Sequence, residues 1–66
     1  MKISEKLQRI RKHTGLSQEN FAHSLGVTSG AVYKWESGDS MPGMMNLKKI
    51  MEIYKININE ILRGRL

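Results

Sequence analysis

The sequence predicts an all-α fold of five short helices, arranged as one domain over residues 1–66. Three observations lead there. Apolar residues recur three and four positions apart along most of the chain, the spacing that lines one side of a helix. Strand-like alternation appears only at Ile56, Asn57, Ile58 and Asn59, too short to need a sheet when Asn57 also reads as a helix cap. The single proline, Pro42, falls in the one stretch that reads as a loop, residues 37–43. A chain of 66 residues makes one core, not two. A domain this short hides only about 60% of the surface its unfolded chain exposes, so close helix packing, and a partner subunit if there is one, must supply the rest.

The first helix is predicted over residues 4–13, with Ile3, Leu7 and Ile10 on one face and Lys2, Lys6, Arg9 and Lys12 on a basic face. Gly15 closes it. Ser17 then reads as the N-cap of a second helix, with Leu16 and Phe21 spaced as a hydrophobic staple, and Gly26 reads as its stop. Only Val27 and Thr28 separate Gly26 from the next helical stretch, so two helices of about eight residues meet across a short Gly-containing turn. That is helix-turn-helix spacing. In the third helix, residues 29–36 after an N-cap at Thr28, Ala31, Val32 and Trp35 share one side and Ser29, Gly30, Tyr33 and Lys34 the other. Leu47, Ile50, Met51 and Tyr54 mark a fourth helix. Asn57 with Glu60 resembles a capping box opening a fifth through Ile58, Ile61 and Leu62, and residues 63–66 read as a frayed tail.

Eleven Lys and Arg against six Asp and Glu give a net charge of +5, which favours a polyanionic partner, although on charge alone a role in solubility serves equally well. The absence of cysteine excludes disulfides and thiolate chemistry and fits a reducing, cytoplasmic setting. No apolar run has the length of a signal peptide or membrane span, so no membrane partner is expected. His13 and His23 lack companions at ligand spacing, so no metal is expected. Asp39 sits in a glycine-containing turn with nothing to pair with as nucleophile or base. No cofactor, small-molecule ligand or enzymatic activity is therefore expected.

The ordered series Gly15-Leu16-Ser17-Gln18-Glu19, Phe21-Ala22, Leu25-Gly26-Val27-Thr28, Trp35-Glu36-Ser37-Gly38, Pro42, Leu47, Ile50 and Ile61-Leu62 resembles the lambda-repressor-like, Cro/CI or XRE-type helix-turn-helix family. The resemblance covers nearly the whole chain and is far more specific than any one of its pieces. It implies a five-helix domain that reads double-stranded DNA as a dimer, with its third helix in the major groove. By position it implies base contacts from Ser29, Gly30, Tyr33 and Lys34, and phosphate contacts from Gln18, Thr28 and Ser37. It also implies a salt bridge between Arg11 and Glu36 that ties the first helix to the end of the third.

Each residue also has a plainer reading. Gln18 opens a helix whose free N–H groups can receive a phosphate, or is an ordinary solvated glutamine. Lys34 can donate to guanine or to a phosphate. Tyr33 can bond a phosphate, meet a thymine methyl, or be a surface tyrosine. Ser29 discriminates weakly, and Gly30 has no side chain to read with: either the backbone approaches DNA closely there or the position is unused. Lys12 can reach a phosphate or belong to a solvated face. Gly43 stands where the family often has Ser, which removes a cap, and Met41, Met44 and Met45 make the loop apolar, for a partner or for local packing.

The sequence thus points to a transcriptional regulator, a repressor, that binds a palindromic operator as a homodimer through residues 58–66. An antitoxin or restriction–modification controller would use the same domain. A protein-interaction module with weak DNA readout is the reading from a different class.

Overall fold

The computed structural model describes residues 2–56. Four helices follow one another: α1 (Ile3–Thr14), α2 (Gln18–Leu25), α3 (Ser29–Ser37) and α4 (Met44–Tyr54). Among the described residues there is no strand. The expected fifth helix from residue 57, the tail at 63–66 and the dimer surface at 58–66 lie outside the described residues.

Local chemistry sets the boundaries of the two central helices. The Ser17 hydroxyl accepts from the Asn20 N–H at 3.1 Å, and the Thr28 hydroxyl from the Ala31 N–H at 3.1 Å, so each helix start has one otherwise orphaned donor satisfied. Both helices stop at glycines in the left-handed region, Gly26 at φ 73° and Gly38 at φ 88°, where a side chain would be strained. After α2 the Val27 N–H returns to the Ala22 carbonyl at 3.0 Å, turning the chain sharply into Thr28 and α3.

Leu7, Ile10, Phe21, Ala22, Leu25, Val32, Trp35 and Ile50 form the buried core, drawn from all four helices. Helix α3 packs against both α1 and α2, and α2 also meets α4. The α2–α4 contact carries an aromatic pair, Phe21 stacked on Tyr54 with centroids 5.3 Å apart, and the Tyr54 hydroxyl meets the Ser24 hydroxyl. Lys49 of α4 reaches across to donate to the Leu25 carbonyl at 3.2 Å, satisfying an acceptor at the end of α2.

One expectation about α1 is corrected. Lys6 does not share an open basic face with Lys2, Arg9 and Lys12: it is only 6% exposed. The reason is geometric. Residues 3, 6, 7 and 10 fall on one side of a helix, so Lys6 lies on the buried side with Leu7 and Ile10 and not on the solvated one.

Candidate nucleic-acid interface

Val32 and Trp35 anchor the inner side of α3 in the core, at 0% and 5% exposure, while Ala31 is half-buried. Helical geometry then turns the opposite side outward, and Ser29, Gly30, Tyr33 and Lys34 are all exposed. Tyr33 shows more than half of its surface, at 58%. Gly30 has ordinary helical backbone, and a Cβ placed there would meet only the Thr28 Oγ1, at 3.8 Å, which is normal van der Waals contact. The fold therefore makes no demand for glycine at this position.

Behind this face lies a polar cluster that joins three helices. Arg11 donates through Nε to Glu36 Oε2 at 2.6 Å and through Nη2 to Oε1 at 3.1 Å, a bidentate pair. The Arg11 and Glu36 side chains are only 14% and 4% exposed. The third guanidinium arm, Nη1, donates to the Leu16 carbonyl at 2.9 Å, just before the cap of α2. Gln18, first residue of α2, adds a bond from Nε2 to Glu36 Oε1 at 3.3 Å. One carboxylate near the end of α3 thus holds α1 and the start of α2 together.

The residues singled out for phosphate contact differ in what they can still offer. Thr28 is exposed and spends its oxygen as an acceptor in the α3 cap, which leaves its one hydroxyl hydrogen to donate outward. Ser37 is the opposite case: its hydroxyl donates to the Lys34 carbonyl at 3.1 Å, so its hydrogen is already committed. Gln18 gives one amide hydrogen to Glu36 and keeps the other. Lys12 is exposed, one turn along α1 from Gln8. Gln8 is the residue that sequence reading passed over. It lines a common crevice with Gln18, Tyr33, Glu36 and Ser37, and its only sequence signal is its place one helical turn before Arg11 and Lys12.

The Lys34 carbonyl also gathers the N–H groups of Gly38, Asp39 and Ser40 at 3.0–3.3 Å, so the chain leaving α3 wraps tightly round its last turn. Beyond that turn the surface changes character. Met41, Met44 and Met45 are 66–76% exposed, and Met44, Met45, Lys48 and Met51 surround an apolar depression on α4. No helix among the described residues is long and apolar enough to cross a membrane.

Comparison with known proteins agrees with this geometry. A family model described as helix-turn-helix matches residues 7–61. The chain is 42% identical over 64 residues to the HTH-type transcriptional activator BcrR of Enterococcus faecalis, covering 97% of this chain and 31% of that protein. It is 38% identical over 61 residues to the cryptic phage CTXphi transcriptional repressor RstR of Vibrio cholerae, covering 92% and 54%. An uncharacterized HTH-type transcriptional regulator of Bacillus subtilis, YqaE, is 34% identical over 62 residues, covering 94% and 53%. The chain thus spans from just under a third to just over a half of the length of these relatives. No solved structure matches it. On the matched residues and the helices they form, the chain belongs to the XRE-type, lambda-repressor-like helix-turn-helix family of DNA-binding transcription regulators.

Proposed function

We propose that the chain binds a palindromic operator as a homodimer, docking α3 in the major groove of each half-site, and that it represses transcription from the bound site. The observation that carries this reading is the outward side of α3. Its opposite side is locked in the core, its exposed residues are Ser29, Gly30, Tyr33 and Lys34, and it adjoins Gln18 at the start of α2. A helix anchored on one side and polar on the other, beside a second helix N-terminus, can enter a groove while a phosphate sits at its flank. The net charge of +5 supplies the long-range attraction. Dimerisation through residues 58–66 fits a two-fold operator with half-sites about one helical turn apart. Repression follows the phage repressor among the relatives, and because another relative is an activator, the domain specifies a place on DNA more than an outcome.

Within this reading Lys34 carries most of the base discrimination, since Ser29 is short and Gly30 has no side chain. Thr28, Gln18, Ser37 and Lys12 hold phosphates, and Ser37 must first release its bond to the Lys34 carbonyl. Selection from a random duplex pool, followed by salt titration on the winning sequence, tests the proposal. It expects a palindromic consensus and a steep loss of affinity with salt. Lys34→Ala then relaxes preference at one position in each half-site, whereas Gln18→Ala weakens all sequences about equally. Weak binding without a consensus would instead favour a protein-interaction module, and a monomer on DNA in sedimentation would remove the dimer.

A further inference from the structure

A crevice of about 160 Å³ opens where α1, α2 and α3 meet, lined by Gln8, Gln18, Tyr33, Glu36 and Ser37. Every one of these side chains is polar, and counting their hydrogens shows what the crevice can receive. Glu36 does not dominate it electrically, because the carboxylate is 4% exposed and doubly bonded to Arg11. Ser37 has given its hydrogen to the Lys34 carbonyl. Gln18 has one amide hydrogen left after bonding Glu36. Gln8 and Tyr33 make no side-chain hydrogen bond among the described residues, so both amide hydrogens of Gln8 and the phenol hydrogen of Tyr33 are available. Three helices therefore bring side chains with uncommitted donors to the walls of one small space, whose only carboxylate is already paired with Arg11. That is the donor pattern for a single tetrahedral oxyanion, and neutral donors of this kind are common partners of the nucleic-acid backbone.

We propose that this crevice seats one backbone phosphodiester of duplex DNA, with Gln8 of α1 donating to it beside Gln18 and Tyr33. The inference rests on the DNA-binding reading above and adds to it a third helix and a residue outside the helix-turn-helix. It assigns the Tyr33 hydroxyl to the backbone, which leaves base reading on α3 to Lys34 and Ser29. Held by Arg11, Glu36 and Gln18, the seat fixes the distance between that phosphate and α3.

The test uses the full chain and the duplex obtained by selection, remade with one neutral methylphosphonate at a time. On the unmodified duplex, Gln8→Ala lowers affinity roughly three- to tenfold, the range of one lost hydrogen bond. At one methylphosphonate position in each half-site that loss disappears, and the loss caused by Tyr33→Phe disappears at the same position. Gln8→Ala removes no bond within the described protein, so its urea unfolding midpoint stays at the wild-type value and confirms that the variant is folded. Gln8→Ala binding like wild type, or losing affinity equally at every methylphosphonate position, overturns the phosphate seat while leaving DNA binding intact. Failure of the wild-type chain to bind any duplex with salt-dependent affinity overturns both.

Discussion

Helices α3 and α4 start alike in backbone and differently in chemistry. Thr28 (φ −82°, ψ 155°) and Gly43 (φ −69°, ψ 167°) both hold the extended conformation of an N-cap, but Thr28 bonds the Ala31 N–H and Gly43 has no side chain to do so. The ends differ too. Helix α3 stops at Gly38, whereas α4 stops at Lys55, the one non-glycine among the described residues with positive φ, at 57°. Between its ends α3 is tied to α1 and α2 through Glu36, while α4 is held by Ile50 in the core, the Phe21–Tyr54 stack and the Lys49 bond to Leu25. The helix that carries the proposed reading face is thus fixed by directed polar bonds at its start and near its end. Helix α4, packed on α2, is held mainly by the core and the aromatic stack, with one hydrogen bond from Lys49, and its start has no side-chain cap. The difference teaches that in a domain with so little core, orientation is specified where the ligand is expected.

The strongest way to break that contrast is Glu36→Ala. It strands the Arg11 guanidinium, 14% exposed, with only the Leu16 carbonyl, and releases Gln18. Removing one member of a buried ion pair costs about 3–5 kcal/mol, a large share of the ~5–15 kcal/mol that holds an ordinary domain. Urea unfolding should show the midpoint collapse. Replacing Arg11 and Glu36 together with apolar residues of similar size should recover much of the stability, because no charge is then left unpaired. DNA affinity should not recover with it, since Gln18 stays unheld.

Thr28→Ala comes next. It deletes the α3 cap and should cost about 1 kcal/mol in thermal or urea unfolding. It also removes the hydroxyl hydrogen proposed to meet a phosphate, so affinity for DNA should fall as well. Thr28→Ser keeps both roles and should restore both, which separates this position from an ordinary surface threonine.

These contrasts were legible in the sequence to different depths. Ser17, Thr28, Gly15 and Gly26 announce themselves, because capping and left-handed stops depend on residue type and on neighbours within one turn. The apolar spacing likewise identifies Leu7, Ile10, Val32 and Trp35 as inward-facing. Lys6, Lys49 and Gln8 do not announce themselves. Their roles depend on how helices distant in sequence lie across one another, which local periodicity does not encode. A lysine in a helix reads as surface charge until it is seen buried or its ammonium is seen at another helix's last carbonyl. Pro42 shows the same limit: the pattern places it in a loop, and only the packed structure shows that it is buried.

The smallest expected effect runs in the other direction. Gly43 already has the dihedral angles of an N-cap, and a Cβ built on it meets nothing within 4 Å. A serine there can accept from the N–H groups of the first turn of α4 without moving anything, and the unfolded chain loses some of the freedom that glycine gives it. Gly43→Ser should therefore stabilise the domain by about 0.5 kcal/mol, seen as a small rise in the urea midpoint with an unchanged slope. The same change at a position already capped, or one in the left-handed region such as Gly38, should not stabilise at all. If Gly43→Ser leaves the midpoint unmoved while Thr28→Ala lowers it, the weakness of α4 lies at its Lys55 end. Lys55→Gly would then be the substitution that raises stability.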